Sequence, residues 1–468
     1  MPLLKKRTHH MGTDKPCSPS DDDLHRPRLS IRENHPQGDS ERKLLDGRFC
    51  LNQELFESHA LRHDAPMSGS RSLPSSKLSK ALRLYPSLPP LPKRTWVEID
   101  HSALRHNLKA VRKLAGSAGI MAVVKANGYG HGLNEVAATL SEGVAIFAVA
   151  SLGEARQLRE TEKEKAILLL SAALPSEYGE IARHGFIPTI SSIQEALLFS
   201  KSALKGGIPS PAIHFKVDTG MGRLGALPSE AAGILRTITR LPLTLHSIST
   251  HLPSADSDTS FTVAQLKRFK ILVGELRQLA PDVPVHVLNS AGIILMSAHA
   301  YDLVRIGLLL YGVSPVPKMQ KLVRPVLSWK AAVTYLRTIP KGQGISYGST
   351  YTAARDTTIA ILPVGYADGY PRQLSGKGAS VLIHGKHCPV LGRVTMDQIM
   401  VDISRAGVVR IGDEAVLVGR QKGKEITAAE VAAQADTIPW HLFCGITARV
   451  AYLHKNDTKV KGRMQNEK

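Results

Sequence analysis

The segment MAVVKANGYGHG, residues 121–132, joins an apolar run to a single lysine, Lys125, and a glycine-rich turn. Burial at the end of a strand favours the neutral amine of a lysine, and the neutral amine is the form that attacks a carbonyl carbon. The chemistry indicated is Schiff-base formation, for which we expect pyridoxal 5'-phosphate (PLP) as the cofactor. The same local pattern also fits a lysine that ends a strand and extends its ammonium group to solvent.

The elements that would position Lys125 are eight short apolar runs in the first part of the chain after residue 93. They begin at Met121, Ala145, Ala166, Phe186, Ile213, Leu243, Val283 and Tyr301. Apolar runs that alternate with helix-like segments are typical of buried parallel strands, and eight such βα units close into a barrel. We therefore predict an α/β fold with an eight-stranded βα barrel of the TIM type over residues 93–323. An open doubly wound sheet is the structural alternative.

Polar residues at the carboxyl ends of these runs form the predicted active site, because the chemistry of such barrels lies at that end. The residues that follow or end the runs are Lys125, Arg223, His251, Asn289 and Ser290, and Arg305 lies on the eighth run. The loops after the last two strands are the usual phosphate site of a barrel. Ser290 and the backbone amides of Gly307 and Leu308 are therefore the predicted phosphate donors.

Beyond Gly312 the pattern changes to strand-like runs separated by turns, which predicts a C-terminal all-β domain over residues 324–455. Two tyrosine-glycine clusters, GISYGSTY and PVGYADGY, and the methionine of GRVTMDQIM lie in predicted loops of this domain. Residues 1–92 are rich in Ser, Pro, His and charged residues, so we predict a disordered extension there. Residues 456–468 form a polar tail.

The amino-acid composition limits which binding partners and which cellular location we expect. The 468 residues include 60 Lys and Arg against 40 Asp and Glu, a formal net charge of +20. The basic residues are spread among acidic ones without interleaved aromatic residues, so we expect an anionic cofactor or substrate and no nucleic acid. No apolar run approaches the ~20 residues that cross a bilayer, and the four cysteines show no metal-ligand spacing. We expect a cytoplasmic protein without a membrane or metal partner.

Seven motifs make the chain resemble the alanine racemases, the barrel-type (fold III) family of PLP-dependent enzymes. They are AVVKANGYGHG, KVDTGMGRLG, HVLNSAG, VRIGLLLYG, ISYGSTY, GYADG and RVTMDQIMVD, in the order and approximate spacing of the family. The resemblance covers residues 93–452. It implies a PLP-dependent isomerase that interconverts L-alanine and D-alanine and supplies D-alanine for peptidoglycan.

The resemblance also implies two bases. Lys125 would carry PLP and act on D-alanine, and Tyr347 of ISYGSTY would act on L-alanine from the opposite face. Two bases suit racemisation, because a proton leaves one face of a planar carbanion and returns to the other. In the family the site is shared across a homodimer, so Tyr347, Tyr366 and Met396 would complete the barrel site of the second subunit.

The remaining roles follow from the same resemblance. The phosphate would be held by Tyr129, Ser290 and the amides of Gly307 and Leu308. Arg223 and the amide of Met396 would hold the substrate carboxylate. Other residues that the family places at the cofactor are His251, Asn289, Arg305 and Tyr366, with Lys216 and Asp397 as supporting residues.

Arg305 would face the pyridine nitrogen of PLP. Because an arginine keeps its proton, that nitrogen would stay unprotonated and the ring would withdraw electrons less strongly, which favours racemisation over transamination. Lys216 matches a lysine that is carbamylated in many members of the family. Without the resemblance, a surface ion-pair role for Arg223 and a core role for His251 would be the stronger interpretations.

One position departs from the family. Many relatives carry a tyrosine before the last Arg-Val, where it contacts the phosphate and narrows the substrate entrance; CGITARVAYLH has Ala448 there. We expect extra space beside the substrate and better tolerance of serine. A serine or broad-specificity racemase is thus one alternative. A barrel-type PLP-dependent decarboxylase and a non-enzymatic PLP-binding protein are two others, and Arg305 and the β domain with Tyr347 respectively argue against them.

Overall fold

The structure is a computed structural model that describes residues 93–456. The predictions for residues 1–92, and for the tail beyond Asn456, lie outside the described residues. The first element is the strand β1 (Thr95–Asp100), which leads directly into helix α1 (His101–Ala115). Asp100 caps this helix, since its carboxylate accepts the amide hydrogen of Ser102 at 2.8 Å.

Eight parallel strands then form the predicted barrel. They are β2 (Gly119–Val123), β3 (Ile146–Val149), β4 (Ala166–Leu169), β5 (Thr189–Ile190), β6 (Ala212–Lys216), β7 (Thr244–Ser249), β8 (Val285–His286) and β9 (Leu303–Ile306). Strand β9 pairs with β2, and a parallel bridge between Leu168 and Ile187 joins β4 to the segment before β5. Nearly every residue of β2, β3, β6 and β9 is buried, which explains their continuous apolar sequences.

Helices follow most of these strands and cover the outside of the barrel. They are α2 (Leu133–Leu140), α3 (Leu152–Thr161), α4 (Tyr178–Arg183), α5 (Ile193–Lys205), α6 (Pro228–Ile238), α7 (Thr259–Leu279) and α8 (Ser290–Leu295). Ser151, Ser192 and Asp258 cap α3, α5 and α7 by accepting an amide hydrogen from the first turn of each helix. The fold-class prediction of a βα barrel is confirmed.

The C-terminal part of the chain is a separate domain built mainly of strands, as expected. Its strands are β10 (Leu327–Ala332), β11 (Tyr335–Ile339), β12 (Gly344–Ile345), β13 (Tyr351–Thr352), β14 (Thr357–Leu362), β15 (Ser380–Ile383), β16 (Lys386–Leu391), β17 (Ile399–Asp402), β18 (Glu414–Gln421), β19 (Lys424–Ile426) and β20 (Ala451–Lys455). Two short helices, α9 (Ala428–Gln434) and α10 (Pro439–Cys444), lie before β20.

The main sheet of this domain runs in the order β11-β14-β17-β16-β15-β18-β10-β1-β20. It therefore includes β1, which the predicted boundaries place with the barrel. Strand β1 is antiparallel to β10 and parallel to β20, so it lies between two strands from the far end of the chain. Within residues 93–456, no helix has the length and the apolar character that crossing a membrane requires.

A fully buried asparagine on α1 fixes the connection between the two domains. The Asn107 amide group donates to the carbonyl oxygens of Leu310 at 3.0 Å and Arg324 at 2.8 Å, and its oxygen accepts the Arg324 amide hydrogen at 2.7 Å. The chain is packed tightly here, because a β-carbon on Gly312 would lie 1.9 Å from the Arg324 carbonyl oxygen. Asn107 thus forms hydrogen bonds with backbone groups at both ends of residues 310–324, the segment that connects the barrel to the C-terminal domain.

We expect Asn107→Leu to lower the free energy of unfolding by at least about 3 kcal/mol, because three backbone groups lose their buried partners. Urea unfolding of the purified protein measures this. Gln157→Leu, on the exposed face of α3, is the control and should unfold at nearly the wild-type urea concentration. Equal stability of the two variants would contradict this role of Asn107.

Candidate active site

Lys125 lies two residues after β2, at the carboxyl end of the barrel strands, and its side chain is half-buried. Burial is the main cause that lowers the pKa of Lys125, and the positive charge of Arg223 adds to it, although the charge of Glu154 acts in the opposite direction. The neutral amine is therefore more accessible here than for a lysine in water. This is the environment expected for a nucleophilic or basic lysine.

The four residues after Lys125 form a left-handed turn. Ala126, Asn127 and Tyr129 all have φ of 53°, and Gly128 has φ of 61°. Such a conformation costs about 1–2 kcal/mol for each residue with a side chain, so a run of this kind requires support from its surroundings. Asn127 supplies part of it, since its side-chain oxygen accepts the Leu133 amide hydrogen at 2.9 Å.

This turn brings Tyr129 to the loop after β9. The Tyr129 ring stacks on the ring of Tyr311 with 4.8 Å between centroids, and a β-carbon on Gly307 would lie 2.6 Å from the Tyr129 hydroxyl oxygen. Only glycine therefore allows this close approach. Burial raises the pKa of Tyr129 to about 12, so its hydroxyl is a neutral hydrogen-bond donor at neutral pH.

The other predicted phosphate donors lie beside Tyr129. The hydroxyl oxygen of Ser290 accepts the amide hydrogens of Gly307 at 3.2 Å and of Leu309 at 3.5 Å. Both bonds leave the Ser290 hydroxyl hydrogen directed elsewhere. Within residues 93–456, the Leu308 amide has no acceptor, so it is available to a bound anion. The Tyr129 and Ser290 hydroxyls and the Leu308 amide thus form a group of neutral donors, here called the donor cradle, that suits a phosphate. The predicted donor Gly307 already gives its amide hydrogen to Ser290.

Asn289 supports this region. Its side-chain oxygen caps α8 by accepting the Gly292 amide hydrogen at 2.9 Å, and its amide group donates to the Leu252 carbonyl at 3.0 Å. The loops after β7 and β8 are therefore tied to each other. The side-chain oxygen and nitrogen of Asn289, which was predicted to line the cofactor, therefore both bond to backbone groups of the protein.

Arg305 is buried on β9 and has no acidic partner among the described residues. Its guanidinium donates to the carbonyl oxygens of Thr250 at 2.7 Å, Val287 at 2.9 Å and His286 at 3.1 Å. It also bonds to Nδ1 of His286 at 2.6 Å and to Nδ1 of His251 at 3.2 Å. Burial lowers the pKa of Arg305 to about 10, so the group keeps its charge at neutral pH.

The histidines around Arg305 are neutral. Burial, reinforced by the charge of Arg305, lowers the pKa of His251 to about 2 and holds that of His286 well below its ordinary range. A neutral imidazole can accept a hydrogen bond from the guanidinium, which an imidazolium cannot. A hydrogen bond thus joins His251 to Arg305, and His286 is a further member of the group.

Lys216 ends β6 and is also buried. Burial lowers the pKa of Lys216 to about 7, and the positive charges of Arg305 and Arg223 act in the same direction. A large fraction of its amine is therefore neutral at neutral pH. The predicted supporting lysine thus faces the same cationic interior as Arg305.

The loop that carries Arg223 is held by Asp218. One carboxylate oxygen of Asp218 accepts the amide hydrogens of Gly220 at 2.9 Å and Met221 at 2.7 Å, and the other accepts that of Arg223 at 3.1 Å. Burial raises the pKa of Asp218, but these backbone hydrogen bonds outweigh burial and hold the pKa below its usual value. An ionised Asp218 therefore fixes the backbone at Arg223.

The three predicted residues of the β domain are exposed. Tyr347, Met396 and Tyr366 have 70%, 52% and 41% of their surface accessible. In the part of the chain that the structure describes, no hydrogen bond or ring contact connects them with Lys125. The barrel residues are thus brought together within one chain, and the β-domain residues are not brought to them.

Tyr366 and Met396 lie on neighbouring loops. The Tyr366 amide donates to the Thr395 carbonyl at 3.0 Å, and a β-carbon on Gly365 would lie 2.3 Å from the Met396 carbonyl oxygen. Arg449 pairs with Asp397 at 2.7 Å and with Asp368 at 3.3 Å, and so ties both loops to the segment before β20. The predicted supporting residue Asp397 takes part in this network.

Comparison with known proteins gives the same family for both domains. The family models "Alanine racemase, N-terminal domain" and "Alanine racemase, C-terminal domain" match residues 99–315 and 326–454. The alanine racemase of Halothermothrix orenii is 43% identical over 369 residues, which cover 77% of this chain and 97% of that relative. The chain belongs to the alanine racemase family. The predicted resemblance and the expected enzyme class, an isomerase, are confirmed.

Solved alanine racemases share the fold. The crystal structure from D-cycloserine producing Streptomyces lavendulae has a TM-score of 0.74 at 32% identity, covering 78% of this chain and 97% of that one. That of the Bartonella henselae alanine racemase, with covalently bound pyridoxal phosphate, has a TM-score of 0.71 at 30% identity, covering 78% and 100%. Barrel and β domain thus occur together in solved members of the alanine racemase family.

Three residues that support the site were not identified from the sequence: Asp218, Glu154 and His286. Asp218 had a signal, because an Asp before a glycine-rich loop often accepts the amides that follow it. Glu154 also had one, because the sequence Ser-x-x-Glu before a helix indicates a helix cap. His286 had none, since a histidine inside an apolar strand is indistinguishable from a core residue.

Proposed function

We propose that the chain is a PLP-dependent alanine racemase in which Lys125 and Tyr347 are the two bases. The observation that carries the proposal is the left-handed turn from Ala126 to Tyr129, which directly follows Lys125 and includes the tyrosine of the donor cradle. A cofactor with an aldehyde at one end and a phosphate at the other fits a lysine beside the donor cradle. When bound, PLP supplies an electron-withdrawing ring that acidifies the hydrogen on the α-carbon of an amino acid.

Two features of the barrel support PLP as the group held there. The donor cradle offers the Tyr129 and Ser290 hydroxyls and the free Leu308 amide to a phosphate, and Arg305 offers a permanent positive charge without a carboxylate nearby. The Bartonella henselae relative carries this cofactor covalently. His251, Asn289 and Gly307 are proposed to line the cofactor, with Tyr366 from the β domain.

Arg305 would keep the ring nitrogen unprotonated. Its proton is retained at neutral pH and its donors are already directed at the Thr250, Val287 and His286 carbonyls. With that nitrogen unprotonated, the bound cofactor would withdraw electrons from the α-carbon less strongly, and this would favour return of the proton to the α-carbon. This argues for racemisation over transamination.

Lys125 would remove or return the proton on the D-alanine face, a role that suits an amine whose pKa is lowered by burial and by Arg223. Arg223 and the Met396 amide would bind the substrate carboxylate. Lys216, with its pKa near 7, is a candidate for carbamylation, because the neutral amine reacts with carbon dioxide. A carbamate there would place a negative charge beside Arg223.

Tyr347 would act on the L-alanine face in a second subunit. Its exposure, and that of Tyr366 and Met396, supports a homodimer in which the β domain of each subunit completes the barrel site of the other. The supply of D-alanine for peptidoglycan stays a prediction from the resemblance, and the cytoplasmic location stays a prediction from the composition.

The first test follows alanine in deuterated water with the purified full chain and PLP. We expect L-alanine to lose optical rotation while its α-carbon gains deuterium. Lys125→Ala should abolish covalent PLP and lower kcat by at least about 100-fold, and Tyr347→Phe should retain PLP but lower L-to-D conversion by about 100- to 10,000-fold. Tyr335→Phe, an exposed tyrosine on β11, is the control. Full activity of Lys125→Ala would disprove the proposal.

A mixing experiment tests the shared site. Lys125→Ala and Tyr347→Phe subunits are each inactive, but a mixed dimer contains one site with an intact lysine from one chain and an intact tyrosine from the other. After unfolding and refolding together, we expect roughly one quarter of the wild-type activity, because half of the dimers are mixed and each has one working site. Refolding each variant alone is the control. No recovery in a mixture that does form dimers would place both bases in one chain.

Ala448 favours serine as a second substrate. It lies between Thr447, whose hydroxyl donates to the Ala367 carbonyl at 2.9 Å, and Arg449, which pairs with Asp368, so it borders the turn that carries Tyr366. A small exposed residue there leaves space beside the proposed substrate.

We expect Ala448→Tyr to lower the ratio of kcat/KM for serine to that for alanine by roughly tenfold, because a bulky ring rejects the longer side chain. Racemisation rates of the two amino acids measure it. Val408→Tyr, at a position with 77% of its surface exposed, should leave the ratio unchanged. An unchanged ratio in Ala448→Tyr would show that this position does not set the substrate range.

A further inference from the structure

The carboxylate of Glu154, in the first turn of α3, joins the ends of two barrel strands. Its Oε1 accepts the Ala126 amide hydrogen at 2.7 Å, and its Oε2 accepts the Ala150 amide hydrogen at 2.7 Å. Ala126 directly follows Lys125, and Ala150 directly follows β3. One side chain therefore holds the backbone on both sides of the groove between neighbouring strands.

The bond to Ala126 acts on Lys125 through the peptide plane. The Ala126 N–H and the Lys125 carbonyl belong to the same planar unit, so fixing that N–H fixes the ψ angle of Lys125. The same residue begins the left-handed turn, with φ and ψ both at 53°. A strained conformation persists only where its surroundings determine it, and a short hydrogen bond to a carboxylate is stronger than one to a neutral acceptor.

We propose that Glu154 is a positioning residue for Lys125: its carboxylate holds the Lys125–Ala126 peptide plane and the start of the left-handed turn, and so directs the amine towards the donor cradle. The inference rests on the proposed role of Lys125. Glu154 itself contacts backbone amides and need not touch the substrate.

A second glutamate separates this role from ordinary helix capping. Glu195 occupies the same place in the βα unit of β5 and α5: its Oε2 accepts the Ser191 amide hydrogen at 2.7 Å, as the Oε2 of Glu154 accepts that of Ala150. Each glutamate amide also donates to the N-cap serine, at 3.2 Å for Glu195 and 3.3 Å for Glu154. Among the described residues, only Glu154 uses its Oε1 for a hydrogen bond to a second strand end.

The charge of Glu154 acts in the same place. It opposes the lowering of the Lys125 pKa by burial and by Arg223, which indicates that the carboxylate is close to the amine. Glutamine at this position keeps one acceptor oxygen, so it can hold only one of the two amides, and it removes the charge. Glu154→Gln thus tests the bridge while nearly preserving the side-chain volume.

The experiment compares Glu154→Gln with Glu195→Gln in the full-length protein loaded with PLP. We expect Glu154→Gln to lower kcat roughly 10- to 100-fold with little change in KM for alanine, because a small displacement of a reacting group has an effect of this size. Hydrogen exchange of residues 124–132 should accelerate in this variant. Glu195→Gln should keep near-wild-type kcat and exchange in that segment, and both variants should lose similar thermal stability.

Borohydride reduction followed by mass spectrometry separates this inference from the proposed function. Wild-type protein without PLP on Lys125 would overturn the proposed function. PLP on Lys125 together with wild-type kcat and exchange in Glu154→Gln, or equal losses of kcat in both glutamine variants, would overturn the positioning role alone. If Glu154→Gln does not fold, Glu154→Asp, which is too short to reach both amides, takes its place. Fast hydrogen exchange of the Ala126 amide in wild-type protein would also overturn the positioning role of Glu154.

Discussion

Arg305 lies inside the barrel with its guanidinium bonded to three backbone carbonyls and two histidines, and no described acidic group neutralises it. Removing such a charge from water is expensive, and the dense set of acceptors offsets part of that penalty. Its field then acts on every titratable group nearby. Burial is the main reason that His251 and His286 are neutral and that the pKa of Lys216 falls, and the charge of Arg305 acts in the same direction on all three. Burial and this one charge together therefore set the protonation states of the interior.

The barrel supplies rigidity, and the strained backbone is confined to the turns at its mouth and in the β domain. Lys125 is followed by five residues with positive φ, and Tyr347 is flanked by positive φ at Ser346 and Gly348, of 68° and 71°. Strained backbone conformations of this kind persist only where the surrounding structure holds them in place. Both proposed bases therefore lie next to residues with positive φ, although they belong to different domains.

Much of the fold could be predicted because strands that are buried on both faces have continuous apolar sequences. All eight runs became barrel strands. The pairing of β1 could not be predicted, because TWVEID alternates in the same way whichever sheet it joins. The site residues near the carboxyl ends of strands, such as Lys125 after β2 and Arg305 on β9, follow from barrel geometry. The second hydrogen bond of Glu154 does not, since its sequence signal indicates only a helix cap.

The position of β1 also bears on how the chain folds during synthesis. Its neighbours β10 and β20 come from the far end of the sequence, and Asp100 at its end bonds to Asn456, 356 residues later. Contacts of such long separation form slowly, because the chain must close a large loop first. The first strand to leave the ribosome in the described region thus has no neighbour until β10 has been made, and it lacks its second neighbour until β20 follows. Of the described strands, β1 therefore stays unpaired for the longest time during synthesis, and a chaperone would have the most time to bind it.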